Sequence, residues 1–184
     1  MDYDYLLVDG YNIIFTWDDL NELANANLDA ARGKLADILS NFAGYKNCTL
    51  ILVFDGYKVK NNPGEIIKYH NIHIVYTKEA ETADMYIEKV TQKIGHYANV
   101  MVATSDRLEQ MIVIGSGAYR MSAGDLKKEI KKVNQEMEEK HLRKRQEKNY
   151  LFNHLPDEWK EYVEDVRLGK KSWDETDKKK NKKE

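Results

Sequence analysis

Apolar residues along this chain follow two alternating rhythms. Short runs rich in Val, Ile, Leu and Tyr occupy Tyr3–Val8, Thr49–Phe54, Ile72–Tyr76 and Val100–Ala103, each followed by a polar or acidic residue. Runs of this length and composition predict buried strands. Between them apolar positions recur every three or four residues. Leu28, Ala31, Leu35, Ile38, Leu39 and Phe42 predict an amphipathic helix of about four turns, and Ala83, Ile87, Val90 and Ile94 predict another. Leu108, Met111, Ile112 and Ile114 predict a short helix that stops at the glycines of "GSGAY". Pro63 and Gly64 in "KNNPGE" mark a loop between the second and third strands. Strands alternating with helices predict an α/β fold, its mainly parallel sheet covered on both faces.

Beyond Tyr119–Met121 the rhythm becomes purely helical. Leu126, Ile130, Val133 and Met137 form one stripe of a long helix, with Ser122 as its cap and Asp125 in its first turn. "PDEWKEYVEDVRLGKK" predicts a further helix with Pro156 at or near its first turn. The closing "DETDKKKNKKE" is charged low-complexity sequence and is expected to be disordered.

Composition narrows the class. A chain of 184 residues that is 42% hydrophobic and 10% aromatic can bury one well-packed core, with room for an appendage. The single cysteine, Cys48, leaves no intramolecular disulfide and no cysteine-built metal site. Its place beside Leu50–Phe54 predicts a small buried thiol. No basic segment followed by an apolar one opens the chain, and no apolar stretch approaches bilayer length. A cytoplasmic protein without membrane partners is expected. Charge is uneven: residues 1–121 carry a net −5 and residues 122–184 a net +3. An acidic body suits a cation, and a basic C-terminal part suits a polyanion.

The candidate chemistry sits where strands end. Asp9 closes the first strand in "LLVDGYNII", Asp55 the second, and Asp106 follows the fourth in "MVATSDR". In open parallel sheets ligands bind outside the carboxyl ends of the strands, so these aspartates share one edge. Any one of them alone reads as a turn residue or helix cap. "TKEAETADMYIEKV" adds Glu81 and Asp84, three apart near the start of a helix that Thr82 would cap; Glu79 and Glu88 have weaker claims. Crowded carboxylates raise one another's pKa unless a cation joins them. Oxygen ligands without imidazole favour Mg²⁺ or Mn²⁺ over zinc, and such ions support phosphodiester hydrolysis. Asn12, Thr104 and Ser105 are polar groups suited to orienting a water, a carboxylate or a phosphate. None of the five histidines falls in these segments, which argues against a histidine general base.

"LLVDGYNII", "LILVFDGYKVK", "YTKEAETADMYIEKV", "VATSDRLEQ" and "GSGAYRMSAGDL", in that order, resemble the YacP-like branch of the NYN domains, which are PIN-like nucleases. The resemblance covers about residues 3–148 and implies a PIN-like three-layer α/β/α sandwich with a metal-dependent ribonuclease site. It implies that Asp9 and Asp84 are the central metal-site acids, that Asp106 completes the cluster, and that Asp55 and Glu81 stand nearby. Asn12 would support them. The branch includes bacterial ribosome-associated endonucleases, which implies a translated mRNA as target and entry into the ribosomal A site. On this reading residues 1–148 form the nuclease domain with its long basic helix, and 149–184 a partly helical, then disordered extension.

For the partner, Arg143, Lys144 and Arg145 offer phosphate contacts to RNA, ribosomal RNA included, and Arg107 and Arg120 stand nearer the acids in sequence. Interleaved Glu136, Glu138, Glu139 and Glu147 allow the plainer reading of a solvated helix face. Tyr11, Trp17 and Tyr119 are candidates for base stacking or for packing. An aspartyl phosphatase would need a second aspartate where Tyr11 stands. A receiver domain would need paired acids at the first strand. With no dinucleotide fingerprint and no Walker lysine, no small organic cofactor is expected. The rival from another class is a non-catalytic ribosome- or RNA-binding module on the same fold.

Overall fold

The computed structural model describes residues 3–56, 64–78, 80–106, 115, 117–154 and 156–171, with backbone alone at 145–153 and 158. The elements run β1 (Tyr5–Asp9), α1 (Gly10–Thr16), α2 (Asp18–Ala26), α3 (Leu28–Lys46), β2 (Thr49–Phe54), β3 (Glu65–Tyr69), β4 (Ile72–Tyr76), α4 (Ala83–Ile94), β5 (Val100–Ala103), β6 (Tyr119–Met121), α5 (Ala123–Asn153) and α6 (Asp157–Arg167). Among the described residues six strands form one sheet in the order β3-β4-β2-β1-β5-β6. All neighbours are parallel except β3 and β4, which pair as an antiparallel hairpin.

Strand alternation sends side chains to two helical layers. Leu7, Val53, Val75, Val100 and Val102 pack with Ala83 and Ile87 of α4 on one face. Leu6, Val8, Leu50, Leu52 and Phe54, the alternate positions, are fully buried on the other face, where α1 and α3 meet β1, β2 and β4. Leu35, Leu39 and Phe42 of α3 are likewise inaccessible. The result is the α/β/α sandwich that the alternation of periods predicts.

Three of the four predicted strands match to the residue, and the first is shifted from Tyr3–Val8 to Tyr5–Asp9. Two further strands lie on the sheet's edges. β3 is exposed along nearly its whole length, so it lacks the buried apolar run that marks a central strand. β6 is only three residues long. α1 and α2 also go beyond the predicted helices, because "GYNIIFT" continues an apolar run without a break in hydrophobicity. Ser122 caps α5 as expected: its hydroxyl accepts from the Asp125 amide at 3.1 Å and donates to the Asp125 carboxylate at 2.7 Å. Cys48 is half-buried rather than buried, with burial holding its thiol pKa up. The predicted helix over 108–114, the loop at Pro63, Glu79, Arg107 and the tail from 174 lie outside the described residues.

The chain divides into two compact units, residues 1–134 and 135–184. The first holds the sheet. The second holds the distal half of α5 together with α6, which starts directly after Pro156 and is pinned by local ion pairs such as Lys160–Asp157 at 2.8 Å. No helix among the described residues is long and apolar enough to cross a membrane.

Candidate active site

The order of strands reverses at β1: the chain moves outward to β2 on one side, then returns to β5 on the other. Such a switch point opens a crevice at the carboxyl ends of the two strands. Asp9 ends β1 there and does two things at once. It is the N-cap of α1, its Oδ1 accepting the Asn12 amide at 3.1 Å. It is also a carboxylate only 8% exposed, with no ion-pair partner among the described residues. Burial pushes its pKa up to about 6; the Asn12 amide pulls the other way, and the charges of Asp84 and Asp55 raise it further.

Asp84 lies in the first turn of α4, whose N-cap is Thr82, the hydroxyl accepting the Met85 amide at 3.2 Å. Partial burial of its carboxyl raises its pKa, and so do the charges of Asp106 and Asp55. Asp55, half-buried just after β2, accepts the Ala83 amide at 2.7 Å. It thereby meets one of the unpaired N–H groups at the start of α4, a favourable place for a negative charge. That bond ties the exit of β2 to the helix that carries Asp84. The hydroxyl of Thr77, buried after β4, accepts the Gly56 amide at 3.0 Å and holds the same turn. Sequence reading passes over Thr77, although its place directly after a predicted strand is a signal.

Across the crevice a hydrogen-bonded chain runs from α1 to α5. Asn12 Oδ1 accepts the Ser105 amide at 2.8 Å, and Ser105 Oγ accepts the Ala123 amide at 3.2 Å. Thr104, fully buried, accepts the Asp106 amide at 3.1 Å, which sets the exposed Asp106 on its turn. Asn12 and Ser105 therefore position backbone, a role narrower than direct contact with a ligand.

The structure thus places Asp84 within electrostatic reach of Asp9, Asp55 and Asp106, and Asp9 within reach of Asp55, while Asn12 and Ser105 link α1 to the exit of β5. Glu81 pairs with Lys89 at 3.2 Å instead, and Glu88 accepts from Gln92 at 3.1 Å. Arg120 is exposed on β6, and its charge reaches Asp125. Arg143 and Lys144 are exposed on α5; Arg145 follows them on the same helix. Gly10 owes its identity to packing: an added Cβ would run into the Phe54 ring. Tyr11 and Trp17 are packed within the fold, Tyr11 against Phe54 and Trp17 with its indole donating to the Ala123 carbonyl at 2.9 Å.

Residues 6–168 match the model of the YacP-like NYN domain. The chain belongs to this family. It is 38% identical to the uncharacterized protein YacP of Bacillus subtilis (strain 168) over 136 residues, 73% of this chain and 79% of that protein. It is also similar to two crystal structures of Rae1 (YacP) from Bacillus subtilis. One matches with a TM-score of 0.68 and 34% identity, over 90% of this chain and 95% of that one. The other, of a mutant form of the same protein, matches with a TM-score of 0.67 and 30% identity, over 89% and 99%. The family carries a nuclease-type domain, and the mainly parallel sandwich described above is the PIN-like fold.

Proposed function

We propose that this YacP-like NYN domain is a metal-dependent endoribonuclease that hydrolyses phosphodiester bonds of mRNA in the cytoplasm, on translating ribosomes entered at the A site. The observation that carries the reading is the crowding of Asp84 by Asp9, Asp55 and Asp106 at one edge of a nuclease-type sheet, with Asp9 buried beside it. A cluster of this kind is costly to a fold unless a cation offsets it.

The donor set fits Mg²⁺ or Mn²⁺. It is built of carboxylate oxygens, with neither histidine nor cysteine. Among the described residues no three His, Cys, Asp or Glu side chains are placed to hold a metal ion together. Mg²⁺ needs no such set, since it usually takes one or two carboxylates and fills its shell with water and substrate phosphate. Asp9 and Asp84 would hold the ion, and Asp106, whose charge reaches Asp84, would add to the negative field there. When bound, it would offset charge on the phosphodiester oxygens. The chain's own part is placement: Asp55 fixes α4 under Asp84, and Asn12 with Ser105 holds the β5 exit beside Asp9. Arg107, Arg120, Arg143, Lys144 and Arg145 would meet RNA phosphates, supplying affinity without sequence preference.

The test is to map new RNA 5′ ends in a defined translation reaction with Mg²⁺, for wild type and Asp84→Asn, with naked mRNA alongside. Ends that need both translation and Asp84 support the proposal. Equal cleavage of naked mRNA removes the ribosome from the mechanism. Ribosome binding with no new ends for any message favours the non-catalytic binding module.

A further inference from the structure

Thr77 follows β4 directly, at the carboxyl edge of the sheet where the acids stand. It is only 1% exposed. Burying a hydroxyl is costly unless it is bonded, and valine would fill the same space without that cost. The hydroxyl therefore needs a reason.

Its bonds supply one. The Thr77 amide donates to the Phe54 carbonyl at 3.0 Å, and the hydroxyl accepts the Gly56 amide at 3.0 Å. Phe54 and Gly56 flank Asp55 in the chain, so Thr77 grips the backbone on either side of that acid. The first bond continues the pairing of β2 with β4 and could be made by any residue with an amide. The second requires the hydroxyl.

Asp55 carries this grip to the site. Its Oδ1 accepts the Ala83 amide at 2.7 Å, and Ala83 opens α4 directly before Asp84. Ala83 is itself buried with Val53 and Val75, so the start of α4 rests on β2 and β4 while the Asp55 bond fixes its direction. A connected path thus runs from Thr77 through Gly56, Asp55 and Ala83 to Asp84.

We propose that Thr77 is a positioning residue of the site: its hydroxyl holds the Asp55 turn, and Asp55 holds the start of α4 so that Asp84 meets a divalent ion beside Asp9. The proposal rests on the metal-dependent nuclease reading and deepens it. Thr77 acts wholly through Asp55 and touches neither ion nor RNA.

The test titrates the full chain with Mn²⁺, followed by electron paramagnetic resonance of the free ion. It compares wild type, Thr77→Val, Thr77→Ser, Asp55→Ala, the double variant Asp55→Ala with Thr77→Val, and Ser40→Ala. Ser40→Ala is the control, because it removes a buried hydroxyl that donates to Asn71, before β4 and at the opposite edge of the sheet. Hydrogen exchange of the Ala83 amide is read on the metal-free chains. Thr77→Val should weaken Mn²⁺ binding about 10-fold, the lower end of the loss on removing a group that orients a metal ligand, and should speed exchange at Ala83. Thr77→Ser and Ser40→Ala should stay near wild type in both. Thr77→Val should change nothing further once Asp55 is alanine, since residues in one path are not additive.

An affinity of Thr77→Val equal to wild type overturns the proposal. So does an equal loss in Ser40→Ala, which would assign the effect to general destabilisation, and so does a full further loss on top of Asp55→Ala. If the valine variant fails to fold, Thr77→Ser decides: wild-type affinity supports the role of the hydroxyl, and a loss despite its presence overturns it. A wild type that binds no Mn²⁺ overturns the metal reading, and the positioning role falls with it.

Discussion

Asp9 shows how one residue can serve the fold and oppose it. As a cap it satisfies a helix amide; as a charge it stands buried among other acids. Its folded pKa, about 6, lies above the ordinary carboxylate value of 3.8. The sign follows from linkage: an acid whose pKa is raised on folding favours the folded state below its unfolded pKa, and that contribution is lost as pH rises through the folded value. For the metal-free chain the cost of Asp9 therefore grows between about pH 4 and 6, to about 3 kcal/mol above that window. Asp9→Asn keeps a capping oxygen and removes the charge. It should raise the thermal midpoint at pH 8, with the gain vanishing near pH 4, and it should depress cleavage at least about 100-fold. A thermal scan across pH and a rate assay check the two halves. Gly10→Ala acts by a different cause. Its Cβ would enter the Phe54 ring, so a loss of about 1–3 kcal/mol in urea unfolding is expected. The sequence showed that Asp9 stands at a strand end; it did not show why glycine follows, because the neighbour that demands it is 44 residues away in sequence.

At the scale of elements, what was legible depended on burial. β2, β4 and β5 lie inside the sheet, and their apolar runs announced them. β3 and β6 are edge strands, held by pairing with one neighbour rather than by a buried side-chain pattern, so periodicity had nothing to report. The acids of the site were legible because each follows a strand or opens a helix. The bonds that orient them were not, since Asn12–Ser105 and Asp55–Ala83 join segments 93 and 28 residues apart. The start of α5 shows the same economy: Ala123 donates to Ser105, and its carbonyl accepts the Trp17 indole. Trp17→Phe removes the indole's hydrogen bond to that carbonyl and should cost about 0.5–1.5 kcal/mol. Hydrogen exchange should show faster opening of the first turn of α5, with the protection of β1 and β2 unchanged.

For the molecule as a whole, charge is unevenly divided. The acids gather in the unit that holds the sheet, while Arg143 and Lys144 are exposed in the other. Contacts of lysine and arginine with phosphate release counterions, which makes binding salt-dependent. Replacing Arg143 and Lys144 together by alanine should weaken ribosome binding and flatten its dependence on salt. An affinity and slope equal to wild type would assign those charges to a solvated helix face.

The central claim is that Asp9 and Asp84 hold a divalent ion in the field of Asp55 and Asp106. Its most direct test is a titration of the full chain with Mn²⁺, followed by electron paramagnetic resonance of the free ion, for wild type, Asp9→Asn, Asp84→Asn and the surface control Asp125→Asn. The account expects binding by wild type and by Asp125→Asn, with affinity at least about 10-fold lower in the other two. No binding at millimolar Mn²⁺, or equal binding by all four proteins, would contradict it.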